Sequence, residues 1–385
     1  MPANLPPRAR ALLREYQDAR TIPEKIRVLE QLISAIPTHK GTENIRKQLR
    51  RRLAELRREL EERKRKRVKS SSGKFAIKKE GAGQVVILGD TKSGKSSLLA
   101  SLTNAKPKIS DAPFTTKIPI PGMMIYEDVQ IQLVEAPALF PQAPWLSQVL
   151  SLARNADALI LLIDLKRDPI GQLKFLVECL RDARISLKKP RVKIDIERRS
   201  SGGIQVLSTG VFIDCSLDDI KKLFRDYGIN NAIVRIWGDV TLKDLEDYVG
   251  LNIIYKPSII VANKYDCEVA EKNYLKLRSL LEDKVKIIPF SAKSKLNDNL
   301  LRREIFNLLG IIRVYTKEVN GPIAEKPLVV PYGTRVIDIA KMIHSRLYKE
   351  FKYARVWGDS VKFDGQKVGR NHVLHDGDVV EIRTK

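Results

Sequence analysis

The chain has 385 residues, 43% of them hydrophobic, with 70 Lys and Arg against 46 Asp and Glu, for a formal net charge of +24. That length can bury a sizeable core in more than one domain, and the charge favours a polyanionic partner, nucleic acid first, without bearing on fold. Cys179, Cys215 and Cys267 are far apart and form no CxxC, no apolar run is long enough for a membrane span, and the N-terminus lacks a signal-peptide core. The expectation is therefore a reduced, soluble, cytoplasmic protein with no membrane partner.

Residues 1–80 read as a basic helical region and a linker. Thr21 caps a helix to about Ile36, with Pro23 in its first turn, apolar residues at Ile26, Leu29, Leu32, Ile33 and Ile36, and Pro37 as its stop. A second helix starts near Thr42 and carries Leu49, Leu53, Leu56 and Leu60 at spacings of four and three, so the two should pack as a helical hairpin. Its other faces hold Arg46, Lys47, Arg50, Arg51, Arg52, Arg57 and Arg58 and run on into Arg63, Lys64, Arg65, Lys66, Arg67 and Lys69. Glu55, Glu59, Glu61 and Glu62 do not balance them, which favours contact with RNA over a merely solvated face.

The stretch VVILGDTKSGKSSLL (85–99) matches G-x-x-x-x-G-K-S from Gly89 to Ser96, between an expected strand (Val85 to Leu88) and a helix starting near Lys95. In that context Gly89, Asp90, Thr91, Lys92, Ser93, Gly94, Lys95, Ser96 and Ser97 form a loop whose backbone N–H groups curl around a polyphosphate. Lys95 reaches the terminal phosphates and the Ser96 hydroxyl is placed to ligate Mg²⁺. The base is chosen by Asn263, Lys264 and Asp266 in SIIVANKYD: a carboxylate accepts from both the N1 and N2 protons of guanine, a pair adenine lacks. VKIIPFSAK then ends a strand with Ser291, Ala292 and Lys293, which resembles the loop that in GTPases supplies a backbone N–H to the guanine O6. GTP or GDP is the expected ligand.

At this point the chain resembles the developmentally regulated GTP-binding proteins, Obg-related GTPases with a C-terminal TGS domain, and looks like an archaeal-type member. DAPFTTKIPIPGMMIYEDVQIQL (111–133) is similar to their switch I and following hairpin, which puts Thr116 at the Mg²⁺ and γ-phosphate position. Residues 185–245 resemble their inserted subdomain, and FKYARVWGDSVKFDGQKVGRNHVLHDGDVVEI resembles their TGS domain. The fold class so implied is α/β: a P-loop GTPase domain with a mostly parallel sheet and helices on both faces, an N-terminal helical hairpin, an inserted α+β subdomain and a C-terminal β-grasp domain. The expected divisions are 1–80, 81–184 and 256–312 for the two GTPase parts, 185–255 for the insertion and 313–385 for TGS.

The residues themselves agree. In the insertion, alternating Val192, Ile194 and Ile196, the turn SSGG and IQVL read as a hairpin, followed by helices capped by Ser216 and Thr241 around the strand AIVRIW, giving β-β-α-β-α. In the tail, PLVV, the turn PYG, a helix capped by Thr334 and the strand YARVW suggest a β-grasp fold.

One motif departs from the family. Its D-x-P-G is replaced by Glu135, Ala136, Pro137 and Ala138, so the grip on the Mg²⁺ shell and the glycine N–H at the γ-phosphate are both altered. Leu139 follows where many GTPases place a glutamine, which the family also lacks. The expected activity is slow GTP hydrolysis controlling attachment to the ribosome or another RNA-containing partner, with a possible protein partner at the TGS domain. The alternative is a degenerate GTP/GDP-binding module that contributes only RNA or protein contacts. Lys92 stands at the fourth loop position, where several related GTPases have an asparagine that helps hold potassium. It is either a tolerated surface lysine or an ammonium that does the ion's work.

Overall fold

The computed structural model of the chain describes residues 6–19, 21–37, 41–71, 75–105, 118–189, 192–251, 253–281, 285–319 and 321–384. Three helices come first: α1 (Pro7–Asp18), α2 (Ile22–Ala35) and α3 (Glu43–Ser71). An α/β segment follows, with β1 (Gln84–Gly89), α4 (Lys95–Leu102), β2 (Ile120–Tyr126), β3 (Val129–Glu135), α5 (Leu146–Asn155), β4 (Ala158–Asp164) and α6 (Pro169–Asp182). The insertion holds β5 (Ile185–Ser186), β6 (Lys193–Arg198), β7 (Ile204–Ser208), α7 (Leu217–Asp226), β8 (Ala232–Trp237), α8 (Leu242–Leu251) and β9 (Ile254–Tyr255). The α/β pattern resumes with β10 (Ser258–Asn263), α9 (Ala270–Leu281), β11 (Ile287–Pro289) and α10 (Asp298–Leu308). The last elements are β12 (Ile311–Thr316), β13 (Leu328–Pro331), α11 (Val336–Ile343), α12 (Ser345–Lys349), β14 (Phe351–Trp357), β15 (Gln366–Val368) and β16 (Asp378–Thr384).

Two compact units result, Lys74–Ala183 with Lys256–Lys385, and Met1–Gly73 with Arg184–Tyr255. In the first, a six-stranded sheet has the order β11-β10-β4-β1-β3-β2, parallel except for β2. Every residue of β1 and β4 is buried, which is why these strands read as unbroken apolar runs rather than alternating ones. Leu98, Leu99 and Leu102 of α4 and Leu301, Ile305 and Phe306 of α10 fill one face, and α6 packs on the sheet as well. β1 lies between β3 and β4, so the chain leaves it in opposite directions and the carboxyl ends of the strands open a crevice there.

The C-terminal domain of the same unit is a mixed sheet, β13-β12-β16-β14-β15, closed over Val314, Val330, Ile339, Ala354 and Val380. Its first strand is clasped to the β2–β3 turn: the Arg313 guanidinium donates to Asp376 at 2.7 Å, to Asp128 at 3.2 Å and to Glu127, and the Tyr315 hydroxyl donates to Asp128. Leu309, Ile311 and Val329 pack against the α/β core beside it. Thr334 does not cap α11. Its hydroxyl is used in the preceding turn, donating to the Pro331 carbonyl at 2.6 Å, and Arg335 takes the N-cap position with its N–H on Asp338.

In the second unit, Thr21 and Glu24 form a reciprocal cap at the start of α2. Ile26, Leu29, Leu32, Ile33 and Ile36 bury against Leu53 and Leu56 of α3, the expected helical hairpin. Helix α1, which is not among the expected elements, adds Ala9 and Leu12 to this core. The insertion has the expected element order, but β6 and β7 do not pair as a hairpin. The sheet order is β6-β8-β7, with β8 antiparallel to β6 and parallel to β7. AIVRIW is the most apolar of the three strands and takes the middle, where both of its edges are paired.

The basic face of α3 also needs correction. Arg46 and Arg50 are buried, with Arg46 on both Glu246 oxygens at 2.6 and 2.9 Å, and Arg50 on Asp226 at 3.2 Å and Glu246 at 3.1 Å. Arg57 donates to Glu30 at 2.9 Å and to the Val249 carbonyl at 3.2 Å. These three arginines close the core of their unit, because carboxylates far off in sequence neutralise them, and they are not available to an external anion. Arg51, Arg52 and Arg58 remain exposed, and the side chains of residues 61–70 lie outside the described ones.

Candidate nucleotide-binding site

The crevice at the end of β1 is built from loops that each need their particular small residues. A Cβ on Gly89 would sit 2.8 Å from both the Leu162 carbonyl oxygen and the Ser93 hydroxyl. Gly94, at φ 94°, precedes α4, and a Cβ there would meet the Asn263 amide nitrogen at 2.3 Å. Between them the Ser93 hydroxyl donates to the Asp90 carbonyl at 2.9 Å.

Lys95 is the first residue of α4 and is 6% exposed. Its Nζ donates to the carbonyls of Gly89 at 3.2 Å and Asp90 at 2.8 Å. Burial pulls its pKa down to about 8; Glu135 and Asp90 hold it up, and Arg167 pushes it down. A lysine so placed gains by exchanging carbonyl dipoles for a full negative charge.

The Ser96 hydroxyl donates to Glu135 Oε1 at 2.6 Å. Glu135 is 1% exposed and stands at the end of β3, so the extra methylene of glutamate still leaves the carboxylate at the helix start. A hydroxyl beside a carboxylate is a hard oxygen donor set, which fits Mg²⁺. Ala138 does not adopt a positive φ, and its carbonyl accepts from the Trp145 indole at 2.9 Å. The Leu139 N–H donates to the Gly89 carbonyl at 3.1 Å and its side chain is buried. Thr116 lies outside the described residues.

The loops expected to read the base meet the loop of residues 89–96 directly. Asn263 donates to the Ser93 carbonyl at 2.8 Å; Lys264, at φ 64°, donates to the Lys92 carbonyl at 2.8 Å. Asp266 is exposed and accepts from the Ser291 hydroxyl at 2.7 Å, a bond that holds its carboxyl below the usual carboxylate range. Ser291 is buried, Ala292 half-buried and Lys293 exposed, while Thr91, Ser96 and Ser97 are half-buried. Lys92 has φ 59° and an exposed side chain.

Two residues here are not among the expected site residues, Asp164 and Arg167, and only Asp164 carries a local signal. Asp164, 2% exposed at the end of β4, accepts from Lys264 at 2.7 Å and from Arg167 at 3.2 Å. The signal available was an acid ending the apolar strand ALILLID, a costly place for a carboxylate without cationic partners. Among the described residues, no helix is long and apolar enough to cross a membrane.

Comparison with known proteins is consistent with this geometry. Residues 84–194 match the family model described as a 50S ribosome-binding GTPase, residues 201–311 the model for the C-terminal region of that domain, and residues 312–384 the TGS domain. An uncharacterized GTP-binding protein of Methanocaldococcus jannaschii is 35% identical over 96% of this chain and 94% of its own length. Developmentally-regulated GTP-binding protein 1 of Xenopus laevis is 33% identical, covering 88% of this chain and 92% of its own. Ribosome-interacting GTPase 1 of Saccharomyces cerevisiae is 30% identical, covering 95% and 100%. With a P-loop α/β domain, its insertion and a C-terminal TGS domain in that order, the chain belongs to the developmentally regulated GTP-binding proteins.

Proposed function

We propose that the protein hydrolyses GTP slowly and that its nucleotide state governs attachment to the ribosome or a similar RNA-containing partner. The observation that carries this reading is the mutual bonding of the phosphate loop and the base loop, Asn263 on Ser93 and Lys264 on Lys92, around a buried Lys95. In the proposed complex Lys95 turns to the terminal phosphates, the loop N–H groups take the remaining phosphate oxygens, and Asp266 accepts from guanine N1 and N2 while the Ser291–Lys293 backbone faces O6. Ser96, with Glu135 and Thr116, would hold Mg²⁺, which offsets phosphate charge.

Slowness follows from the segment after β3, Ala136 to Phe140, which carries no side chain able to orient a water molecule. Lys92, exposed on the loop, could supply the positive charge that potassium supplies elsewhere, so hydrolysis is proposed to be independent of potassium. The ribosome enters through the likeness to the yeast Ribosome-interacting GTPase 1 and through the exposed basic residues of α3. The TGS domain is a proposed site for a protein partner.

Phosphate release by the purified chain in matched potassium and sodium buffers is the test. A low steady rate that is equal in both supports the reading; strong potassium stimulation overturns the role of Lys92. The absence of turnover favours a GTP/GDP-binding module, a second reading supported by the buried, apolar Leu139. Asp266→Asn should weaken GTP and favour xanthosine triphosphate, and unchanged GTP affinity would remove Asp266 from the base site.

A further inference from the structure

The phosphate loop carries an acid at its second position. Asp90 follows Gly89 directly, inside the cradle proposed for a polyphosphate, and an unpaired carboxylate there would repel the ligand. The structure shows what restrains it. Its Oδ1 accepts from the Thr91 N–H at 2.5 Å and its Oδ2 accepts from the Arg167 guanidinium at 2.9 Å. Arg167 also donates to the Thr91 carbonyl at 2.7 Å and, through Nε, to Asp164 at 3.2 Å. Asp164 is in turn fixed by Lys264 at 2.7 Å and by the Lys166 N–H at 2.9 Å. One guanidinium therefore joins the second and third residues of the phosphate loop to the end of β4, and through Asp164 to the lysine of the base motif. Three donor groups, each on a different acceptor, fix its plane.

We propose that Arg167 is a positioning residue for nucleotide binding: it neutralises the Asp90 carboxylate and turns it away, so that a phosphate loop containing an acid still admits a polyphosphate. The proposal rests on the nucleotide site described above and adds to it a residue whose effect depends on the charge of the ligand. A brace of the loop alone would matter equally for every guanine nucleotide. A charge shield matters most for the triphosphate.

The experiment uses the full chain and fluorescent analogues of GTP, GDP and GMP, with thermal melts to confirm that each variant is folded. Arg167→Ala should weaken GTP about tenfold, GDP less and GMP least, and Arg167→Lys should keep much of the parent affinity. The decisive variant is Arg167→Ala combined with Asp90→Asn, which removes the uncovered charge and should recover most of the GTP affinity. An equal loss for all three nucleotides, a double variant as weak as Arg167→Ala, or an Arg167→Ala protein that binds like the parent would each overturn the proposal. Failure of the site itself looks different: the parent would bind none of the three, or Lys95→Ala would bind as the parent does.

Discussion

Lys95 and the arginines of α3 are both buried cations, yet they are held in opposite ways. Lys95 is satisfied by two backbone carbonyls and its pKa has fallen to about 8. Arg46 and Arg50 are closed off by the carboxylates of Glu246 and Asp226. A cation whose direct partners are carbonyls can exchange them for an anion, whereas a cation bonded directly to carboxylates has already been answered. Burial alone does not separate a lysine proposed to bind phosphate from a structural arginine. The chemistry of the partners does.

Four changes should break that comparison or sharpen it, from large to small. Arg50→Ala strands the buried Asp226 carboxylate, while Glu246 keeps Arg46, and should cost about 3–5 kcal/mol of stability in denaturant unfolding, with nucleotide affinity unchanged. Loss of GTP binding with stability intact would reverse the assignment. Lys95→Ala should do the opposite, lowering GTP affinity by about a hundredfold in a titration while the melting temperature of the nucleotide-free protein holds or rises, because a desolvated cation has been removed.

Asp128 tests the structural class by pH. Burial raises its pKa, but the bonds from Tyr315 and Arg313 outweigh burial and leave it below the usual 3.8. A depressed carboxyl contributes stability that is present above the unfolded value and lost as pH falls through the folded one. The stability gap between the parent and Asp128→Asn, about 1 kcal/mol near neutrality, should therefore shrink as melts are taken below pH 4. A gap that persists would show that the clasp does not depend on this charge.

The smallest effect concerns the basic run at the end of α3. Neutralising Arg63, Lys64, Arg65, Lys66 and Arg67 should flatten the salt dependence of the proposed RNA binding by about 0.7 for each single-strand phosphate that is no longer neutralised. An unchanged slope would place those residues with Arg46 and Arg50 as groups that meet no external anion.

What could be read beforehand followed sequence distance. The phosphate loop and the α2–α3 hairpin were legible because spacing within one segment specifies them: Gly89 to Ser96 is one strand-to-helix turn, and Leu53 and Leu56 face α2 by helical period alone. The partners of Arg46 and Arg50 were not, because Glu246 and Asp226 come from helices far along the chain and are brought in only by tertiary packing. The β6–β7 pairing failed for a related reason. A glycine turn permits a hairpin, but β8, which lies further along the chain, competes for both strands. Arg167 escaped notice because its task lies in side-chain bonds between strand ends, which no local spacing records.

The clasp at Arg313 has a practical consequence for dissecting the molecule. Only Leu309 and Gly310 separate α10 from β12, and Leu309, Ile311 and Val329 pack on the α/β core beside Tyr126 and Phe306. A truncated chain ended near residue 311 would not be a free-standing G domain. It would expose an apolar patch where Val329 had lain and leave Glu127 and Asp128 without their cation. The C-terminal domain is thus part of the wall of the α/β domain, and its interaction partners are better mapped by surface substitutions on the intact chain than by deletion.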